Sequence, residues 1–87
     1  GGHLTFDLNW YAETPGEEPA GYDGWDGCNV RISTDGGDSW TPISGSPAYN
    51  CQSLYSFGFE HGEGEGIPGW GGQGSGWTKA DFDLSTY

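Results

Sequence analysis

Aromatic side chains dominate the apolar residues of this sequence, and that imbalance limits how the chain can fold. It has five Trp, five Tyr and four Phe, whereas Leu, Ile, Val and Phe together make up only twelve of its 87 residues. A low content of aliphatic residues together with a net charge of -11 is typical of disordered chains. A buried aromatic side chain, however, removes about 150–250 Å² from water. The composition therefore predicts one small folded domain over residues 1–87 with an aromatic core.

The charge balance excludes several classes of partner. Thirteen acidic residues stand against two basic ones, Arg31 and Lys79. Two cations cannot neutralise a run of phosphates, so nucleic-acid binding is excluded, and binding to an anionic membrane surface is excluded for the same reason. No apolar stretch approaches the roughly 18 residues of a spanning helix, and no signal peptide is recognisable. We therefore expect no nucleic-acid partner and no membrane insertion.

Apolar and polar residues alternate with a period of two, which is typical of β-strands, and glycines interrupt every candidate helix. The alternation is clearest over residues 4–11, where Leu4, Phe6, Leu8 and Trp10 share one face. Further strands are predicted at residues 28–33, 39–43, 51–59 and 77–84. The sequence therefore predicts an all-β fold, and so few strands favour open sheet edges.

One turn between predicted strands carries a motif. Residues 33–40 fit the pattern S-x-D-x-G-x-x-W, which resembles the Asp-box hairpin of sialidases and many secreted β-proteins. Asp35 can accept backbone N–H groups across the turn, Gly37 can supply a positive φ, and Trp40 can pack over the hairpin. The motif predicts a structural turn and confers no activity.

Five segments, taken in order, resemble the MAM-like jelly-roll modules of secreted bacterial proteins. They are residues 4–11, 22–24, 29–37, 67–70 and 77–87. Such modules accompany immune inhibitor A-type metallopeptidases and cleaved-adhesin or surface-anchored proteins. The resemblance implies a jelly-roll-type antiparallel β-sandwich that lacks some strands of the family, in an extracellular or cell-surface protein of a bacterium. Relatives that do chemistry carry a separate zinc domain, and no H-E-x-x-H occurs here.

The two cysteines, Cys28 and Cys51, close a loop of about 24 residues. In a small acidic chain rich in Trp and Gly, this spacing favours a disulfide and an exported protein. The alternative is a pair of buried thiols.

Acidic residues crowd two predicted loops, which makes calcium a candidate cofactor. Ca²⁺ takes six to eight oxygens from carboxylates and from the loop carbonyls that glycine-rich segments expose. The candidate ligands are Glu13, Asp23, Asp26 and Glu60. The alternative is a solvated acidic surface that aids solubility.

Trp25 and Trp70 are flanked by glycines in predicted loops. An indole in such a place can be a flat platform for sugar rings, with nearby carboxylates accepting hydrogen bonds from hydroxyl groups. The alternative is that each indole folds inward and fills the core. Trp10, Trp40 and Trp77 lie on predicted strands, where we expect packing roles.

The sequence offers no catalytic arrangement, since no Ser accompanies a plausible His base and the cysteines are expected to pair. We therefore expect a non-catalytic extracellular adhesion or binding module, with carbohydrate as its ligand and calcium as a stabilising ion. The alternative is the protomer of an extracellular filament, because open sheet edges accept strands from neighbouring chains.

Overall fold

Six short β-strands form three antiparallel pairs in residues 2–87, the part of the chain that the computed structural model describes. They are β1 (His3–Leu8), β2 (Gly27–Cys28), β3 (Val30–Ile32), β4 (Thr41–Ile43), β5 (Trp70–Gly71) and β6 (Thr78–Asp83). β1 pairs with β6, β2 with β5, and β3 with β4. Helical structure in these residues is confined to a π-helical turn, Ser56–Glu60. The prediction of an all-β fold is confirmed.

The alternation over residues 4–11 produces the longest strand pair. Leu4 lies opposite Phe82 and Phe6 opposite Ala80. Ala80 and Phe82 are fully buried, and the rings of Phe6 and Phe82 stack with their centroids 6.1 Å apart. β1 ends at Leu8, three residues before the end of the predicted strand.

β1 is an open edge of its sheet. Leu84 donates its N–H to the carbonyl oxygen of Gly2 at 2.8 Å, so the even-numbered residues of β1 direct their backbone groups toward β6. The backbone groups of His3, Thr5 and Asp7 therefore point away from β6. Within residues 2–87 no other strand pairs with β1.

The β3–β4 hairpin matches the prediction made for residues 28–33 and 39–43, with shorter strands. Val30 lies opposite Ile43, and Ile43 is buried. Cys28 belongs instead to β2 and pairs with Trp70.

The predicted strand over residues 51–59 is wrong, because its second half forms the π-helical turn. His61 donates its N–H to the carbonyl oxygen of Ser56 at 2.9 Å, which closes the wide turn. A Cβ on Gly58 would lie 2.5 Å from the carbonyl oxygen of Gly64, so only glycine allows this approach. The turn places the rings of Tyr55 and Phe59 in a stack with centroids 5.0 Å apart.

The core centres on Trp70, which is 2% exposed and lies in a segment predicted to be a glycine-rich loop. Its indole packs edge-on against Tyr49 and Phe82, with centroids 4.8 and 6.0 Å away, and it donates a hydrogen bond to the carbonyl oxygen of Pro47 at 3.1 Å. The buried cluster is Leu8, Ile43, Tyr49, Trp70, Ala80 and Phe82.

Side-chain amides extend the short strands around β5. Asn50 accepts the N–H of Gly71 at 2.8 Å and donates its own amide to the carbonyl oxygen of Gly71 at 2.9 Å. Asn29 donates its amide to the carbonyl oxygen of Pro68 at 2.8 Å. These amides stand in for backbone groups because they carry a donor and an acceptor in one plane.

The two cysteines are free thiols, so the predicted disulfide between Cys28 and Cys51 is absent from the structure. Cys28 pairs with Trp70 on one side of the segment 69–71, and Cys51 pairs with Gly69 on the other. Two strand spacings amount to about 9–10 Å, whereas a disulfide needs Cα atoms within about 7 Å. The number of residues between the two cysteines favoured a disulfide, but it does not reveal that the segment 69–71 lies between them in the fold.

Candidate functional site

Four of the predicted site residues converge on one pocket, which we call the acidic pocket. Its volume is about 330 Å³, and it is lined by Glu13, Trp25, Asp26, Tyr55 and Glu60. Three of these were candidate calcium ligands and Trp25 was a candidate sugar platform. Tyr55 is the residue that sequence reasoning missed, because it was assigned to a strand.

The acidic pocket forms where the segment 12–26 meets the π-helical turn. Tyr55 donates its N–H to the carbonyl oxygen of Gly24 at 2.9 Å, and Ser56 donates to that of Trp25 at 2.8 Å. The indole N–H of Trp25 bonds to the carbonyl oxygen of Gly16 at 2.9 Å. These bonds fix the Trp25 ring at the pocket wall.

Tyr55 is the centre of an aromatic cluster beneath the pocket. Trp25 meets it edge-on with centroids 5.3 Å apart, and Tyr22 meets it edge-on at 5.2 Å. Phe59 stacks on it and is 65% exposed. The pocket thus combines ring surface with carboxylates, since Glu13, Asp26 and Glu60 are all exposed.

The fourth candidate calcium ligand lies elsewhere. Asp23 accepts the N–H of Gln52 at 2.8 Å and that of Ser53 at 2.8 Å, so its carboxylate holds two loops together. In residues 2–87 no three His, Cys, Asp or Glu side chains lie close enough to hold one metal ion. As they stand, the carboxylates of the acidic pocket do not fit a preformed calcium site. Calcium would require their exposed side chains to turn toward one another.

Trp70 follows the core alternative stated for it, whereas Trp40 and Trp77 differ from the packing role expected of them. Trp70 is 2% exposed and offers no face to a ligand, so it is a core residue. Trp77 and Trp40, expected to pack, are 76% and 57% exposed. Tyr11 is 82% exposed. Flanking glycines therefore do not indicate that an indole is exposed, because beside Trp70 they permit the close approach of neighbouring strands.

Two further pockets lie beside the acidic pocket. The central pocket has a volume of about 360 Å³ and is lined by residues 9–12 and 26–28. The amide pocket has a volume of about 310 Å³ and is lined by Asn9, Trp10, Tyr11, Gln73, Gly74 and Gly76. Partial desolvation raises the pKa of the Cys28 thiol in the central pocket. All three pockets are at the low end of the roughly 300–1,000 Å³ range of ligand sites.

The Asp-box-like turn lines none of these three pockets and is held by its own hydrogen bonds. The carboxylate of Asp35 accepts hydrogen bonds from the hydroxyl and the amide of Ser39, at 2.5 and 2.9 Å, and from the Ser33 hydroxyl at 2.8 Å. These bonds lower the pKa of Asp35 to about 2. Gly37 has φ 95°, and the Trp40 ring lies 3.9 Å from the position of its missing Cβ.

No family model matches this sequence, and no curated protein or solved structure is significantly similar to it. The resemblance to MAM-like modules thus stays a prediction. In residues 2–87 there is also no helix of the length and apolar character needed to cross a membrane.

Proposed function

We propose that this chain is a non-catalytic binding module of an extracellular or cell-surface bacterial protein, and that its acidic pocket binds carbohydrate. The observation that carries the proposal is the convergence of two aromatic rings, Trp25 and Tyr55, with three carboxylates in one pocket. Aromatic faces pack against the C–H faces of sugar rings, and carboxylates accept hydrogen bonds from sugar hydroxyls.

The positions of both histidines support a non-catalytic role. The His3 ring bonds to Asp81 at 2.5 Å on the β1–β6 pair, and the His61 ring packs edge-on against Phe57. Neither lines the acidic pocket. A jelly-roll-type sandwich and the relation to MAM-like modules belong to the same proposal, and the antiparallel pairing of all three strand pairs supports them.

Titration with short neutral and basic oligosaccharides, followed by tryptophan fluorescence, tests the carbohydrate proposal. We expect a saturable change that Trp25→Phe abolishes and Trp40→Phe preserves, because Trp40 lines none of the three pockets. Circular dichroism of both variants shows whether each is folded. A signal that persists in Trp25→Phe places the sugar elsewhere, and a flat response across the panel refutes carbohydrate binding.

Calcium stabilisation is a separate part of the proposal, supported by the three carboxylates of the acidic pocket. Thermal unfolding with CaCl2 and with a chelator tests it. We expect a higher midpoint with calcium, and the double variant Glu13→Gln/Glu60→Gln should lose that gain. Equal midpoints in both buffers would remove calcium from the proposal.

The open edge of β1 favours a second candidate function, the protomer of a filament built by strand exchange. The backbone groups of His3, Thr5 and Asp7 are available to a strand of another copy. Sedimentation velocity separates the two candidates. A monomer near 9.3 kDa supports the binding module, whereas open-ended species support the filament.

A further inference from the structure

The three pockets follow one another along the segment 9–13. The amide and central pockets share residues 9–11, and the central and acidic pockets share Asp26. Asp26 also accepts the N–H of Glu13 at 2.9 Å, which ties the segment to the wall of the acidic pocket. The pockets therefore adjoin in the order amide, central and acidic, which we call the row, with Tyr11 lining the first two and Asp26 the last two.

The amide pocket has the chemistry of a neutral sugar site. Its polar side chains are the amides of Asn9 and Gln73, which donate and accept hydrogen bonds and carry no charge. The pairing of Tyr11 with Gln73 leaves the Tyr11 ring 82% exposed, and Trp77, next to Gly76, is 76% exposed. These two exposed rings add apolar surface beside the amides, which suits the C–H face of a sugar ring.

The other end of the row is strongly negative. The acidic pocket holds Glu13, Asp26 and Glu60 in a chain of net charge -11. The two basic side chains pair with carboxylates outside the pockets, Arg31 with Glu63 at 2.8 Å and Lys79 with Asp7 at 2.8 Å. Anionic ligands are therefore repelled, and an ammonium group is attracted.

We infer that the three pockets form one groove that binds an oligosaccharide chain bearing amino groups, with its ammonium groups in the acidic pocket and a neutral unit in the amide pocket. This inference rests on the proposed carbohydrate-binding function and adds the length and charge of the ligand. One pocket of about 330 Å³ accommodates little more than one sugar ring, so only a chain fills the row.

A basic peptide is a weaker fit to the same groove. Extended peptides are bound by the backbone groups of an open strand edge. Along the segment 9–13 the groups that face the neighbouring segment are already used: Ala12 donates to Gly72, and Gly74 donates to Trp10, at 2.7 and 2.9 Å. Gly72 also donates to Glu13 at 3.2 Å. That leaves a peptide the outward-facing backbone groups of Asn9 and Tyr11, fewer than a bound strand uses, so the groove offers mainly side chains and rings.

Isothermal titration calorimetry with β-1,4-linked glucosamine oligomers from dimer to hexamer tests the inference. We expect at least a tenfold fall in Kd from dimer to hexamer, with N-acetylglucosamine oligomers of equal length binding at least fivefold more weakly. Hexalysine is the peptide probe, and it should bind at least tenfold more weakly than the glucosamine hexamer.

Two pairs of variants locate the contacts. Tyr11→Ala should bring the hexamer Kd to that of the dimer without changing the dimer Kd, whereas Tyr87→Ala, another exposed tyrosine, should change neither. Glu13→Gln/Glu60→Gln should weaken every glucosamine oligomer at least tenfold. Glu17→Gln/Asp38→Asn removes the same amount of charge outside the groove. It should change log Kd by less than half as much as Glu13→Gln/Glu60→Gln does.

Alkylation of Cys28 by iodoacetamide provides an independent readout in the central pocket. The hexamer should slow the modification at least fivefold and the dimer less than twofold, with the 1% exposed Cys51 as an unreactive reference.

If the dimer binds but Kd does not change with length or in Tyr11→Ala, the groove is refuted while the carbohydrate proposal stands. If no oligosaccharide binds, both fall. Hexalysine binding as tightly as the hexamer would overturn the glycan assignment in favour of a basic peptide.

Discussion

The β1–β6 pair and the loop region, residues 12–26 with residues 50–68, are ordered by different interactions. In the β1–β6 pair, the strands pair in register from His3–Asp83 to Leu8–Thr78, with backbone hydrogen bonds at the even-numbered residues of β1, above a buried apolar face. The loop region has little regular pairing. There, carboxylates, hydroxyls and amides bind backbone groups directly, as Asp23 does with Gln52 and Ser53. A chain poor in aliphatic residues thus keeps its core small and orders its binding surface with polar side chains.

The largest expected effect comes from removing a core ring. Phe82→Ala deletes a fully buried side chain that packs on Phe6 and Trp70, so we expect a loss of about 3–5 kcal/mol in the free energy of unfolding. That is a large part of the roughly 5–15 kcal/mol that stabilises a small domain.

Urea denaturation measures this change, and Trp40→Ala is the matched control. Because Trp40 is 57% exposed, its removal should cost less than about 1 kcal/mol. Equal losses in the two variants would mean that the ring cluster around Trp70 is not the stabilising core.

A smaller effect is expected in the loop region. Asp23→Ala removes the acceptor for the amides of Gln52 and Ser53, and we expect a loss of about 1.5 kcal/mol, because both amides can turn to water instead. Hydrogen exchange should accelerate at these two amides while protection in β1 and β6 is unchanged. Asp38→Ala removes an exposed carboxylate of the β3–β4 turn. It should leave the hydrogen-exchange rates unchanged both at Gln52 and Ser53 and in β1 and β6. If exchange in β6 accelerates as much as at Ser53, the two regions unfold together and the contrast between them fails.

The smallest effects on the free energy of unfolding come from two exposed groups, His3 and Asp35, whose contributions change with pH in opposite directions. Asp81 raises the pKa of His3 through a hydrogen bond and its charge, so this contribution to stability is complete below pH 6.5 and is lost as pH rises through the raised pKa. Ser39 and Ser33 lower the pKa of Asp35 from 3.8 to about 2, so that contribution is complete above pH 3.8 and is lost as pH falls toward 2. NMR titration of the His3 ring and the Ser39 amide follows both. A His3 pKa below 6.5, or a Ser39 transition centred at 3.8 or above, would contradict them.

What the sequence could predict follows the same division. Alternation identifies β1 and β6, because a strand with one buried face repeats every two residues. It fails at Phe57 and Phe59, which have the right spacing but belong to a turn that Gly58 makes possible through contact with Gly64. That contact is between distant residues and leaves no local pattern.

The candidate site was predictable in its residue types and not in its assembly. Glu13, Trp25, Asp26 and Glu60 were identified as loop residues with binding chemistry, and they line one pocket. Tyr11 and Trp77 were read as parts of strands, because the alternation does not show where pairing stops. For Trp70 the sequence left two interpretations open, a ligand platform and a core residue, because glycines on both sides of an indole occur in close strand packing as well as in open loops; the structure shows the core residue.

The amide of Asn50 has a consequence for how this chain can change over generations. Both the donor and the acceptor of that amide bond to Gly71, so a carboxylate at position 50 would lose one of the two hydrogen bonds that hold β5. The residues just before it are also fixed, because Tyr49 is buried and Pro47 accepts the indole N–H of Trp70. Strict retention of one amide, with no change in the length of the segment before it, is therefore expected in natural variants of this chain.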